Sequence, residues 1–185
     1  NNFSYKESLN YNLICLILFY NILDKDIYKY LKNLQDKTYL GYDTPYISLN
    51  NLKITTDKLV SLLDFDKIDR AFNLNNIKSI LEIGAGSGRT SEAILSIKDN
   101  ISYVVCDIPP AIYISFKRLK LAYPDKAIEY LVDIQNKDEL NKKIKKNDIS
   151  FIYPHQMELI SKDAFDLTIA IDCFHEMDKK TIAHY

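Results

Sequence analysis

The chain has 185 residues, 47% of them hydrophobic and 26% charged, with a formal net charge of -1. That length gives room for one substantial core and perhaps a smaller appended unit, and the near-neutral balance offers no nucleic-acid surface. The longest apolar run, Leu13 to Tyr20, falls short of the roughly 20 residues that a membrane span needs, and no small-residue cleavage site follows it as in a secretory signal; it reads as a core helix.

Residues 6 to 36 have helical periodicity with no Gly or Pro, and "GYDTP" (Gly41 to Pro45) is the first clear break. A second helix is expected from Thr56, whose hydroxyl could cap it, to about Phe72. Residues 1 to 76 are therefore read as a helical N-terminal region. From Lys78 the pattern changes to short β-rich runs that alternate with amphipathic stretches: "SILEI", 89 to 98, "SYVVCD", 110 to 122. "ISFIY" and "FDLTIAID" are two further strands, and "KDELNKKIKKND" is a lysine-rich helical connection whose charges form a solvated face. The alternation predicts an α/β domain over 77 to 185, a four-stranded parallel sheet with helices on its faces. The last residues, "DKKTIAHY", open another helix. A doubly wound sheet ending there would leave its later edge uncovered, so the domain is expected to continue past Tyr185, and the initial Asn in place of Met also points to a piece of a longer reading frame.

Cys15, Cys106 and Cys173 are far apart, without CxxC spacing, and sit among apolar neighbours. Buried free thiols in a reducing compartment are expected, and with them a cytoplasmic location.

Gly84, Gly86 and Gly88 stand between a strand and a helix. Such a turn brings backbone close to a ligand and aims a helix N-terminus at it. Two details argue against a dinucleotide. Arg89 occupies the place where GxGxxG wants Gly or Ala, and Glu82 adds a negative charge that would repel a pyrophosphate. A cationic ligand without phosphate suits the turn better. Asp107 ends the second strand of the domain, 19 residues beyond Gly88. An acid at that place in a nucleoside-binding α/β fold accepts hydrogen bonds from both ribose hydroxyls. Pro109 and Pro110 fit the start of the following helix.

The acid followed by alternating glycines, Glu82-x-Gly84-x-Gly86-x-Gly88, resembles the first motif of class I S-adenosylmethionine-dependent methyltransferases. With "GAGSGRT", "DIPP" and "DCFHEMDKKTIAHY", the chain over roughly 78 to 185 resembles the sugar O-methyltransferase family of bacterial polysaccharide gene clusters. The resemblance implies a Rossmann-like sheet, S-adenosylmethionine as cofactor, and a glycan or other small-molecule acceptor. It places Glu82 at the amino-acid end of the cofactor and the turn (Gly84, Ala85, Gly86, Gly88) around its methionine part and ribose. Asp107 and Ile108 fall beside the nucleoside, and Gln156, with Met157, on the adenine side. The segment Asp172 to Met177 faces the same crevice, because ligands in open α/β sheets sit beyond the carboxyl ends of strands. His175 is placed to take the proton of an acceptor hydroxyl, and Glu176 or Asp172 to orient it or bind sugar hydroxyls; Asp172 is also counted among the cofactor-binding residues. His155 is a weaker base candidate, and His184 lies in the final helix. Asp172 and Glu176 alone do not supply the oxygens a hard cation needs, so no metal site is assigned. Two other classes remain open, an NAD-type oxidoreductase and a non-catalytic binding module of the same fold. The helical N-terminal region is expected to form a lid or acceptor wall, and the oligomeric state is not legible.

Overall fold

The computed structural model describes residues 5–34, 46–49 and 51–184; the "GYDTP" break lies outside the described residues. Helix α1 (Tyr5–Ile22) opens the chain and is followed by a short 3-10 turn at Tyr28–Lys32. Strands β1 (Tyr46–Leu49) and β2 (Leu52–Thr55) form an antiparallel hairpin, so the N-terminal region is not wholly helical as expected. Helix α2 (Thr56–Phe72) has the expected bounds, but its cap is Thr55, whose hydroxyl accepts the Lys58 N–H at 3.3 Å. Thr55 is extended at φ -107 and ψ 160, which suits an N-cap, whereas Thr56 is already in the helix.

The remainder alternates as the sequence predicts: β3 (Ser79–Ile83), α3 (Arg89–Ile97), β4 (Ser102–Cys106), α4 (Ala111–Ala122), β5 (Ile128–Tyr130), α5 (Lys137–Lys146), β6 (Ile149–Ile152), β7 (Leu167–Ala170) and α6 (Lys179–His184). The sheet has five strands in the order β5-β6-β4-β3-β7, and every pairing is parallel. This is a Rossmann-like α/β fold. β5 is the strand that the sequence did not reveal, a three-residue edge strand too short to show a period.

Strand alternation divides the apolar side chains between two faces. Ile80, Tyr103, Val105, Phe151 and Ile169 meet Phe65 of α2, Ile94 and Leu95 of α3, and Ile112 and Leu119 of α4. Leu81, Ile83, Val104, Cys106 and Ile152 meet Leu140 and Ile144 of α5 on the other face. A third cluster, Leu16, Leu23, Leu31, Ile54, Leu59 and Leu62, unites the N-terminal elements and includes Ala93 of α3.

The chain leaves β3 toward β4 on one side and returns after β6 to place β7 on the other. The crevice at the carboxyl ends of β3 and β7 is therefore the switch point where such sheets receive ligands. At the opposite end of the same two strands, Asp166 accepts the N–H groups of Lys78 and Ser79 at 2.8 and 2.9 Å. These bonds hold its carboxyl below the usual carboxylate range. No described helix is long and apolar enough to cross a membrane.

Candidate functional site

The glycine turn needs its glycines for different reasons. All three have left-handed φ, +70 at Gly84, +56 at Gly86 and +74 at Gly88. A Cβ on Gly84 would lie 2.4 Å from the Cys173 Cβ, and one on Gly88 would lie 3.0 Å from that of Ser115. These two let the turn pack against the segment after β7 and against α4. A Cβ on Gly86 meets nothing within 4 Å, so Gly86 faces open space. It is the glycine that lines the crevice.

Asp107, 8% exposed, closes the turn from the end of β4. Its Oδ2 accepts the Gly86 N–H and its Oδ1 accepts its own neighbour's Ile108 N–H, both at 2.7 Å. Burial raises the carboxyl above its usual range, against the pull of these two N–H groups. A carboxylate oxygen accepts more than one hydrogen bond, so both oxygens keep capacity for hydroxyl donors. Ile108 beside it is 60% exposed, and Pro109 and Pro110, joined by a cis peptide bond, are exposed as well, forming an apolar rim.

Asp172, exposed and at φ +52, follows β7. The contact of Cys173 with Gly84 sets this turn beside the glycine turn. The Cys173 Sγ donates to the Ile83 carbonyl at 3.2 Å, and burial raises its thiol. Burial likewise pushes the Cys106 thiol up to about 12. All three cysteines are free, with Cys106 and Cys173 buried and Cys15 half-buried. His175 and Glu176 stand on a short 3-10 turn, Phe174–Glu176, both exposed, with His175 Nε2 3.7 Å from Glu176 Oε1. His155 is exposed beside the Tyr153 ring.

The side chains of three sequence-assigned residues are turned into the fold. Gln156 is not at the crevice surface. It is fully buried, with Nε2 donating to the Leu131 and Ile134 carbonyls at 2.9 and 2.7 Å and Oε1 accepting the Tyr153 N–H at 2.8 Å. Both amide hydrogens are used within the fold, so the side chain has no free donor to offer a ligand. The neighbouring Met157 packs partly buried against the α5 face of the sheet. Ala85 packs its methyl into the core, so only its backbone is offered to a ligand. Glu82 is 2% exposed and lies beneath α3, where its Oε2 accepts from the Ser91 hydroxyl and, at 2.9 Å, from the Tyr103 hydroxyl. Burial raises its carboxyl, while these hydroxyls and the Arg89 charge oppose the shift. Its carboxyl is thus enclosed between β3, α3 and the Tyr103 ring and offers no surface to the crevice.

Sequence reading missed this buried set. Ile80 faces α3, so Glu82, two residues on, must face it too; the alternation was the available signal. It also saw Arg89 only as a departure from a pattern. Arg89 starts α3, and its guanidinium is 2.6 Å from Asp64 of α2, with both side chains largely covered. Arg118 of α4 is held by Glu92 at 2.7 Å and donates to Ser87 of the turn at 3.2 Å. Arg89 after the turn and Arg118 bonded to it are thus both engaged by acids of the protein. Among the described residues no three His, Cys, Asp or Glu side chains gather as metal ligands.

No family model matches the chain, and no curated protein does. Among solved structures it is similar to PigF with SAH, at 15% sequence identity and a TM-score of 0.30, over 75% of this chain and 36% of that one. The chain therefore spans little more than a third of that protein's length, and a likeness of this degree carries no statement about activity.

Proposed function

We propose that the chain is an S-adenosylmethionine-dependent methyltransferase that methylates a hydroxyl, on a sugar of a glycan or a small molecule. The observation that carries the reading is the Asp107–Gly86 hydrogen bond at the open side of the turn. A phosphate would need the N–H groups of this turn, and here a carboxylate takes one of them. Asp107 favours hydroxyl donors and cations. Arg89 and Arg118, which could welcome a pyrophosphate, are held by Asp64 and Glu92. A nucleoside bearing a sulfonium and an ammonium group fits this balance of charge; an NAD-type dinucleotide does not.

In this reading Asp107 accepts from the ribose hydroxyls and Ile108 lies against the base. Gly86 gives room for the amino-acid part. The cofactor supplies an electrophilic methyl group. Asp172, His175 and Glu176 stand on the acceptor side, where His175 takes the proton of the attacking hydroxyl. The N-terminal elements form the acceptor wall.

Calorimetric titration tests the cofactor. S-adenosylhomocysteine is expected to bind and NAD to fail, and Asp107→Asn to weaken binding about tenfold or more, since hydrogen bonds to a charged acceptor are worth about 1.5–3 kcal/mol each. Binding of NAD alone, or of neither, overturns the reading. Transfer of a labelled methyl group to a panel of free sugars and polysaccharides, lost in His175→Ala, tests the acceptor.

A further inference from the structure

Helix α1 has two apolar faces. Leu16, with Phe19 and Tyr20, packs into the N-terminal core, as does Leu23 just beyond the helix. On the opposite side Tyr11, Ile14, Ile17, Leu18 and Ile22 are exposed at 65, 58, 54, 57 and 67%. Tyr11, Ile14, Leu18 and Ile22 are three or four residues apart and form one stripe along the helix, with Ile17 beside it. A surface helix carries polar or charged residues there. Here no charged residue occurs between Glu7 and Asp24. The polar residues exposed beside the stripe are the uncharged Asn10 and Asn21, and the described fold covers only the other side of the helix.

The chemistry of the stripe selects its occupant. A helix that lies on a membrane carries several Lys or Arg on its polar side; α1 has Lys6 alone, followed by Glu7. A charged partner finds nothing to pair with. A second copy of the same stripe meets no like charge, and an isologous two-fold contact needs only a face that complements itself. Antiparallel pairing about a point between Ile14 and Leu18 sets each of these against the other in the partner copy. Large side chains left about half exposed show on the order of 100 Å² each. Five from each copy amount to about 1,000 Å², the size at which specific interfaces begin. We propose that the Tyr11, Ile14, Ile17, Leu18, Ile22 stripe is a homodimer interface, with α1 packed antiparallel on α1 of a second copy.

Sedimentation velocity of the whole chain over a concentration series reads the association. A monomer–dimer equilibrium in the micromolar range is expected. Leu18→Lys and Ile14→Glu should each weaken it about tenfold or more by burying an unpaired charge. Equal mixing of the two variants should restore association, because Lys at 18 then faces Glu at 14; this also shows that neither variant is misfolded. A chain monomeric throughout, a dimer indifferent to both substitutions, or variants that fail to associate on mixing would overturn the proposal. So would a monomer that co-sediments with phosphatidylglycerol vesicles, which would assign the stripe to a lipid surface.

Discussion

Asp107 at the end of β4 and Gly86 in the turn after β3 are joined by a 2.7 Å hydrogen bond from the Gly86 N–H to the carboxylate. On the crevice side of the turn, a Cβ added at 86 would meet nothing within 4 Å apart from its chain neighbours. Replacing Gly86 therefore separates binding from folding. Gly86→Leu is expected to abolish S-adenosylhomocysteine binding. Its stability cost should be limited to the left-handed backbone, about 1–2 kcal/mol, or a fall of a few degrees in melting temperature. Calorimetry beside thermal denaturation checks both, and retained affinity would show that the ligand lies elsewhere.

Gly84 should behave in the opposite way. A methyl group there lies 2.4 Å from the Cys173 Cβ, so Gly84→Ala is expected to destabilise the fold. Cys173→Ala would not relieve the contact, because the clash is with Cβ itself. Cys173→Gly would relieve it, and the double variant should regain stability relative to Gly84→Ala. A urea-denaturation cycle over the four proteins measures this coupling; additive effects would contradict the packing.

Glu82 gives a pH dependence with a definite sign. Burial raises its carboxyl above the usual value, so the folded protein holds a proton that the unfolded chain has released. Its contribution to stability is full below the unfolded value, about 4.3, and is lost as pH rises through the raised folded value. Glu82→Gln should remove that decline. A cationic ligand favours the ionised carboxylate, so affinity should fall on acidification through the same window in the natural protein but not in the variant. Melting curves and titrations from about the unfolded value upward would read both, and identical profiles for the two proteins would exclude the role.

Gln156 is expected to matter for stability and not for ligand affinity. Gln156→Ala strips partners from the Leu131 and Ile134 carbonyls and the Tyr153 N–H. Each buried group left unsatisfied costs about 1–3 kcal/mol. Urea denaturation should show a fall of that order, with the dissociation constant for S-adenosylhomocysteine unchanged.

Much of the sheet domain was legible because its segments carry strong local signals. The runs at Ser79–Ile83 and Ser102–Cys106 are apolar and bounded by turn residues, and Asn136, whose side chain accepts the Glu139 N–H at 2.9 Å, opens a helix with acids first and lysines last. Strand β5 and the β1-β2 hairpin escaped because three or four residues carry no readable period; their pairing is fixed by neighbours distant in sequence. At the site, residue type and spacing singled out Gly86 and Asp107, which the fold joins by a hydrogen bond. They did not reveal which polar side chains the fold consumes. Gln156 follows a strand, as a ligand-contacting residue would, yet turns back to the Leu131 and Ile134 carbonyls.

The ion pair between Arg89 and Asp64 bears on how the chain can move. The change of sequence pattern near Lys78 separates two architectures, but α2 is fastened across it. Phe65 and Ile68 belong to the core beneath α3 and α4, Ala93 belongs to the N-terminal core, and Asp64 grips the first residue of α3. Any swing of α2 would drag the start of α3, and the glycine turn with it. In mechanical terms α2 travels with the sheet, and the hairpin and α1, which share the Leu16, Ile54, Leu59 and Leu62 core with α2, are coupled to it in turn.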